Sequence, residues 1–244
     1  HNNDFATVTF NVTDGKQIVE PNSAQVTIIG HTRTVAYNGS EQTVTGYDVV
    51  SSNTLYGAAD FTFTNGDSTA TRQFVGTTSM GLNETMFHNT NPNFAGNVTF
   101  TVQDGSITVT PANAVVTIVG ANNTTAYDGA EHTVTGFTPT ADLTFYNVDT
   151  SFTFTPAANA VMVGDEIAAK RTDAGTTNMG LAVSQFANTN PNFNVTFNVT
   201  DGYQTITPLD VTVTITGANN TTTYDRAEHS VSGYNVQDSS SLYT

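Results

Sequence analysis

The sequence contains no cysteine and no tryptophan. Without cysteine there are no disulfides, no thiolate metal sites and no cysteine nucleophiles. A secreted protein can also lack cysteine, so the absence assigns no compartment. Positive charge is nearly as scarce. Six Lys and Arg stand against 21 Asp and Glu, a formal net charge of −15. Phosphate backbones and anionic lipid surfaces attract basic protein, so neither nucleic acid nor a charged membrane is an expected partner. No apolar run approaches the roughly 18 residues of a membrane span, and no basic-then-apolar leader opens the chain. Membrane insertion within this sequence is not expected, and any export signal or anchor is expected outside it. Good helix formers such as Leu, Lys, Arg and Glu are few, which argues against helices.

What is present favours strands. Thr makes up about a fifth of the chain, with Val, Asn and Phe also frequent, and Thr, Val and Phe suit a pleated, half-buried surface. Apolar residues are 37% of the total, enough with the 19 glycines for globular cores rather than a disordered tract. The expected fold class is all-β.

The chain repeats itself. YNGSEQTVTGY (37–47), YDGAEHTVTGF (127–137) and YDRAEHSVSGY (224–234) are versions of one phrase. Tyr37, Tyr127 and Tyr224 are its equivalent first residues, at spacings of 90 and 97. The register extends outward. Gly30, Gly120 and Gly217 precede those tyrosines by seven residues, and Pro21, Pro111 and Pro208 precede the glycines by nine. Asp14-Gly15, Asp104-Gly105 and Asp201-Gly202 begin seven before the prolines. RQFVGTTSMGL (72–82) answers RTDAGTTNMGL (171–181), and NTNPNF recurs at 89–94 and 188–193. The second copy's extra length falls at 156–166 and reads as a longer loop.

A period near 90 residues is too long for a solenoid turn and fits one small β domain. The expected organisation is the C-terminal part of a repeat (1–21), two complete repeats (22–111 and 112–208), and the N-terminal part of another (209–244). Starting late in one repeat and stopping early in another, the sequence reads as a window cut from a longer chain.

Within a repeat, VTIIG (26–30), VTIVG (116–120) and VTITG (213–217) alternate as half-buried strands. Gly39 and Gly129 supply positive φ for a tight turn after the tyrosine; Arg226 stands there in the third copy, so that turn differs or carries strain. NVTFTVQDGSITVTP (97–111) and NVTFNVTDGYQTITP (194–208) read as hairpins about an Asp-Gly turn, ended by the proline. About four residues are expected between that proline and the next strand. Roughly seven antiparallel strands per repeat make a β-sandwich.

The order VTVTITG, YDGxEHTVxGYxV, LYT, DFTF, DAGTTNMGL, NxNPNF, NVTFxVxDG, ITP resembles the Ig-like, MBG-type (mostly bacterial, glycine-rich) repeats of large cell-surface proteins of Gram-positive bacteria. The resemblance covers the whole sequence. It implies exported, wall-attached stalks or fibres of Ig-like domains with no catalytic residues; the short links between the tandem sandwiches add the expectation of an elongated rod. Arg226, Gln42 where the pattern has His, QFVG (73–76) where it has a TDAG-like turn, and the 156–166 insertion depart from it.

Candidate chemistry is thin. His132 and His229 follow Glu131 and Glu228, but the first copy has Gln42 there, and no second His or Cys stands at ligand spacing. Asp14, Asp104 and Asp201 are weighed as calcium ligands at domain junctions, against the preference of turns for Asp before Gly. Lys16 and Lys170 are not equivalent, which argues against an isopeptide link in each repeat. Arg72 and Arg171 are equivalent and read as paired or stacked structural arginines. No catalytic, cofactor or metal residue is assigned. The residues singled out are structural: Tyr37, Gly39, Tyr127, Gly129 and Tyr224, the three Asp-Gly pairs, and Pro21, Pro111 and Pro208. The expected role is a non-catalytic stalk or fibre segment whose partners are neighbouring repeats of the same chain. Two alternatives are a filament subunit joined by β-strand addition and an adhesion module binding host glycan or protein through loops.

Overall fold

The computed structural model describes Asp4 and residues 6–243. Among these the only helical segments are four three-residue 3-10 turns, so the fold is all-β. The chain divides into two compact units, His1–Thr110 and Pro111–Thr244.

Among its described residues the first unit holds ten strands: β1 (Ala24–Gly30), β2 (Thr32–Ala36), β3 (Gln42–Thr45), β4 (Tyr47–Ser51), β5 (Phe61–Phe63), β6 (Thr69–Arg72), β7 (Gly76–Ser79), β8 (Phe87–Asn89), β9 (Val98–Gln103) and β10 (Ser106–Thr110). They form small sandwich-like sheets in the orders β4-β1-β9 and β2-β10-β7, with β3-β6 and β5-β8 as pairs. The sheets are mixed, not purely antiparallel as expected. β1 lies parallel to β9, with Val26 opposite Phe100, and β2 lies parallel to β10, with Thr34 opposite Thr108.

This pairing corrects the hairpin expectation at Asp104-Gly105. β9 and β10 do not fold back on each other. They are two halves of one extended path, running beside the path β1–β2. Both paths leave one sheet and enter the other together, at Gly30-His31 and Asp104-Gly105. The backbones touch there, since a Cβ on Gly30 would overlap the amide nitrogen of Gly105. Local preference for Asp-Gly cannot tell a reversing turn from such a joint; the parallel partner, far away in sequence, decides it.

The second unit repeats the scheme with β11 (Ala112–Gly120), β12 (Asn122–Ala126), β13 (His132–Thr135), β14 (Phe137–Ala141), β15 (Phe152–Phe154), β16 (Met162–Val163), β17 (Glu166–Arg171), β18 (Gly175–Asn178), β19 (Phe186–Asn188), β20 (Phe193–Thr200) and β21 (Tyr203–Thr207). β11 lies parallel to β20 and β12 to β21, and Gly120 meets Gly202 as Gly30 meets Gly105. The 156–166 insertion is more than a loop. Its β16 pairs with β17 through the two-residue Gly164-Asp165 turn, with Gly164 at φ 61°, as hairpin turns favour. β11 begins directly after Pro111, whereas the expected four residues do separate Pro208 from Val213, where the next strand starts. Finally β22 (Val213–Gly217) pairs antiparallel with β23 (Tyr234–Asp238).

Alternation is realised where a partner sheet covers the strand. Val26, Ile28, Val116 and Ile118 are fully buried. Val213 and Ile215, at the same phase of the third copy, are 36% and 66% exposed. In the first unit Val26 and Ile28 pack with Phe61, Leu82, Phe87 and Phe94. Phe87 stands edge-on to Tyr47 at 5.3 Å between ring centroids, a favourable aromatic geometry.

Candidate functional site

The repeated phrases resolve into four hydrogen-bonded clamps. The first joins Asp-Gly to Met-Gly-Leu. Asp104 accepts from the backbone N–H groups of Gly81 and Leu82 at 3.0 and 2.9 Å; Asp201 does the same for Gly180 and Leu181. Gly81 and Gly180 lie at φ 79° and 82°, which suits glycine. The Met80 and Met179 sulfurs occupy the space a Cβ on Gly105 or Gly202 would need. Two motifs far apart in sequence are therefore one joint. Both oxygens of these carboxylates are spent on backbone, and no group of three His, Asp or Glu able to hold a metal exists among the described residues. Asp14 and Gly15 lie exposed outside any strand.

The second clamp is an arginine inside its own loop. Arg72 Nε and Nη2 donate to the carbonyls of Phe74 and Val75, each at 2.7 Å, and Nη1 donates to the Thr78 hydroxyl at 3.2 Å. Arg171 repeats this with Asp173, Ala174 and Thr177. Neither arginine forms an ion pair with an acid among the described residues; each guanidinium organises the main chain of its own loop. Because it reads carbonyls, QFVG and TDAG adopt the same loop, and Gly76 and Gly175 match at φ 132° and 131°.

The third clamp explains NTNPNF. The one proton of the buried Tyr56 hydroxyl is shared between the Asp60 carbonyl at 3.1 Å and Asn89 Oδ1 at 3.0 Å, and Asn89 donates to the carbonyls of Asn91 and Phe94. Tyr146 and Asn188 repeat it. Burial raises the pKa of both phenols, with a smaller contribution from Asp60 at Tyr56.

The fourth is the opening phrase. Asp128 accepts from the Ala130 N–H at 2.9 Å and contacts His132 Nε2 at 3.0 Å. Asp225 does the same with Ala227 and His229. In the first copy Asn38 accepts from the Ser40 N–H at 3.0 Å and Gln42 Nε2 at 2.9 Å. An amide pair replaces an acid–imidazole pair in one geometry, so Gln42 keeps the bond. The Ala130 and Ala227 amides, then the imidazoles, hold Asp128 and Asp225 below the usual carboxylate range. Gly39 and Gly129 lie at φ 83° and 79°; Arg226 keeps the turn at φ 68° and carries the strain that a Cβ brings there. Among the described residues neither imidazole bonds a Ser or Thr hydroxyl.

The remaining sequence-chosen residues sit apart. Tyr37 stacks on Phe74, Tyr224 is exposed, the Pro21 carbonyl accepts from Asn97, and Lys170 pairs with Glu131 at 3.5 Å. One contact had no sequence signal. His31 lies at the first unit's sheet crossing, Nδ1 2.8 Å from the Thr45 carbonyl and Nε2 3.3 Å from Asp48. The Thr45 carbonyl first, then Asp48, raises its pKa. Ala121 and Thr138 stand at the same places in the second unit. A scan against protein-family models matches no family, and no curated protein matches the chain.

Proposed function

We propose that this chain is a load-bearing, non-catalytic segment of an extracellular bacterial surface stalk or fibre, built of tandem Ig-like sandwiches. The supporting observation is the parallel pairing of the first and last strand paths within Ala24–Thr110 and within Ala112–Thr207. Ala24–Ala36 lies beside Val98–Thr110, and Ala112–Ala126 beside Phe193–Thr207. Tension applied at the two ends of such a unit pulls parallel neighbours in opposite directions. Their interstrand bonds are loaded together in shear, rather than opened one after another as in a hairpin pulled from its open end. The clamps fit that role, since they tie loops and sheet crossings to main chain. Acidic, Thr- and Asn-rich surfaces keep neighbouring fibres soluble and apart. Partners on this reading are neighbouring repeats of the same protein.

The test is immunogold labelling of intact source cells with an antibody to this chain, with a denaturing gel of surface extract read by peptide mass spectrometry. Label along surface fibres, with peptides in a band far above 25.8 kDa, is the expected result. Signal confined to cytosol would overturn the proposal.

A further inference from the structure

The two units differ around the tyrosine of the repeated phrase. In the first unit Phe74 stacks on Tyr37, ring centroids 6.3 Å apart. Counted from Arg72 and Arg171, Phe74 and Val75 correspond to Asp173 and Ala174, both smaller. Beside Tyr127 the second unit holds an open-mouthed cavity of about 320 Å³, near the lower bound for small-molecule sites. Tyr127, Asp173 and Tyr243 line it, with Leu209, Val211 and Leu242 as an aliphatic wall.

The lining selects a ligand class. Asp173 gives its main-chain carbonyl to Arg171, and its carboxylate makes no ion pair among the described residues. An uncompensated carboxylate beside two phenol rings attracts a cation twice, by charge and through the ring faces. A bare metal ion is a poor match, because calcium takes about six to eight oxygen ligands and this cavity has one carboxylate. An anion would face both that carboxylate and the net charge of −15. The aliphatic wall rewards a carbon body on the cation.

We propose that the Tyr127–Asp173 cavity binds an organic cation, an alkyl or quaternary ammonium group whose carbon body rests on Leu209 and Val211. The first unit, with Phe74 on Tyr37, binds none at the same place. The site stands or falls separately from the stalk reading.

The experiment is an NMR chemical-shift titration of the whole chain with choline, and with its neutral analogue in which carbon replaces the quaternary nitrogen. Choline is expected to shift the amides around Tyr127, Asp173 and Leu209 saturably, leaving those around Tyr37 and Phe74 unmoved. The neutral analogue, and choline on Asp173→Asn, are expected to bind about fivefold more weakly, the size of one partly exposed charge contact. Asp173→Asn retains the carbonyl that Arg171 holds, so its loop is kept. Asp173→Phe with Ala174→Val, copying the first unit, is expected to abolish the shifts. No saturable shift at Tyr127 and Asp173, equal binding of the neutral analogue, or undiminished binding by Asp173→Asn would each overturn the proposal.

Discussion

The two units share their clamps and differ in what fills the space between them. Where the first unit buries Ile107 at its crossing sheet, the second buries Gln204, bonded to Asn123 at 3.2 Å. Where the first pairs Asn38 with Gln42, the second pairs Asp128 with His132. The second also carries β16, which has no counterpart among the described residues of the first. Bonds to main chain are kept while side-chain fillings vary. The backbone joints therefore define the unit, and the fillings are where units become different.

Exchanging the buried fillings is the largest test. Ile107→Gln is expected to destabilise the first unit by about 3 kcal/mol, since its strand partner is Arg33, not an amide. Gln204→Ile in the second unit is expected to cost under about 1 kcal/mol, because an apolar group of similar size removes the need for a partner. Hydrogen exchange read separately in each unit measures both. Similar losses from the two changes would mean that the amide pair is no built-in alternative.

The crossings test sameness instead. Gly30→Ala and Gly120→Ala each put a methyl into the facing backbone and are expected to cost about 3 kcal/mol, equally in both units. Arg72→Ala and Arg171→Ala should then cost about 2 kcal/mol each, by orphaning carbonyls in the loop. A clear inequality within either pair, by the same exchange measurement, would break the claim that the joints are common.

The smallest effects are in pH, and their signs separate the units. His31 has a raised pKa when folded, so its stabilising contribution is complete below about pH 6.5 and fades as pH rises through the folded value. His31→Ala should remove that dependence from the first unit alone. Asp128 has a lowered pKa, so its contribution is present above about pH 3.9 and is lost as pH falls through the folded value. Asn38 with Gln42 has no such loss, and the double change Asn38→Asp with Gln42→His should transplant it. Urea melts across pH, read by exchange, check both.

The strand class, the alternation of Val26 and Ile28, and the Tyr-x-Gly turn were legible because each rests on neighbours in sequence. Asp104-Gly105 was misread because its meaning depends on Gly30 and Met80, which only the folded chain brings beside it. Arg72 was recognisable by recurrence, yet its partners are carbonyls, which leave no mark in sequence. The β16 hairpin did leave one, Gly164-Asp165 between apolar residues. His31 left none, because Ala121 and Ala218 fill its place in the other copies.

On the proposed function, Ala24–Thr110 and Ala112–Thr207 each resist tension through their parallel first and last strand paths. Single-molecule pulling of the chain from its ends tests it most directly. Ala24–Thr110 and Ala112–Thr207 differ by nine residues, so two unfolding events should release lengths differing by roughly 30 Å. Each should need a force well above that for unzipping a hairpin, and Gly30→Ala should weaken only the shorter release. Yielding at hairpin forces, or in a single event spanning both units, would contradict the account.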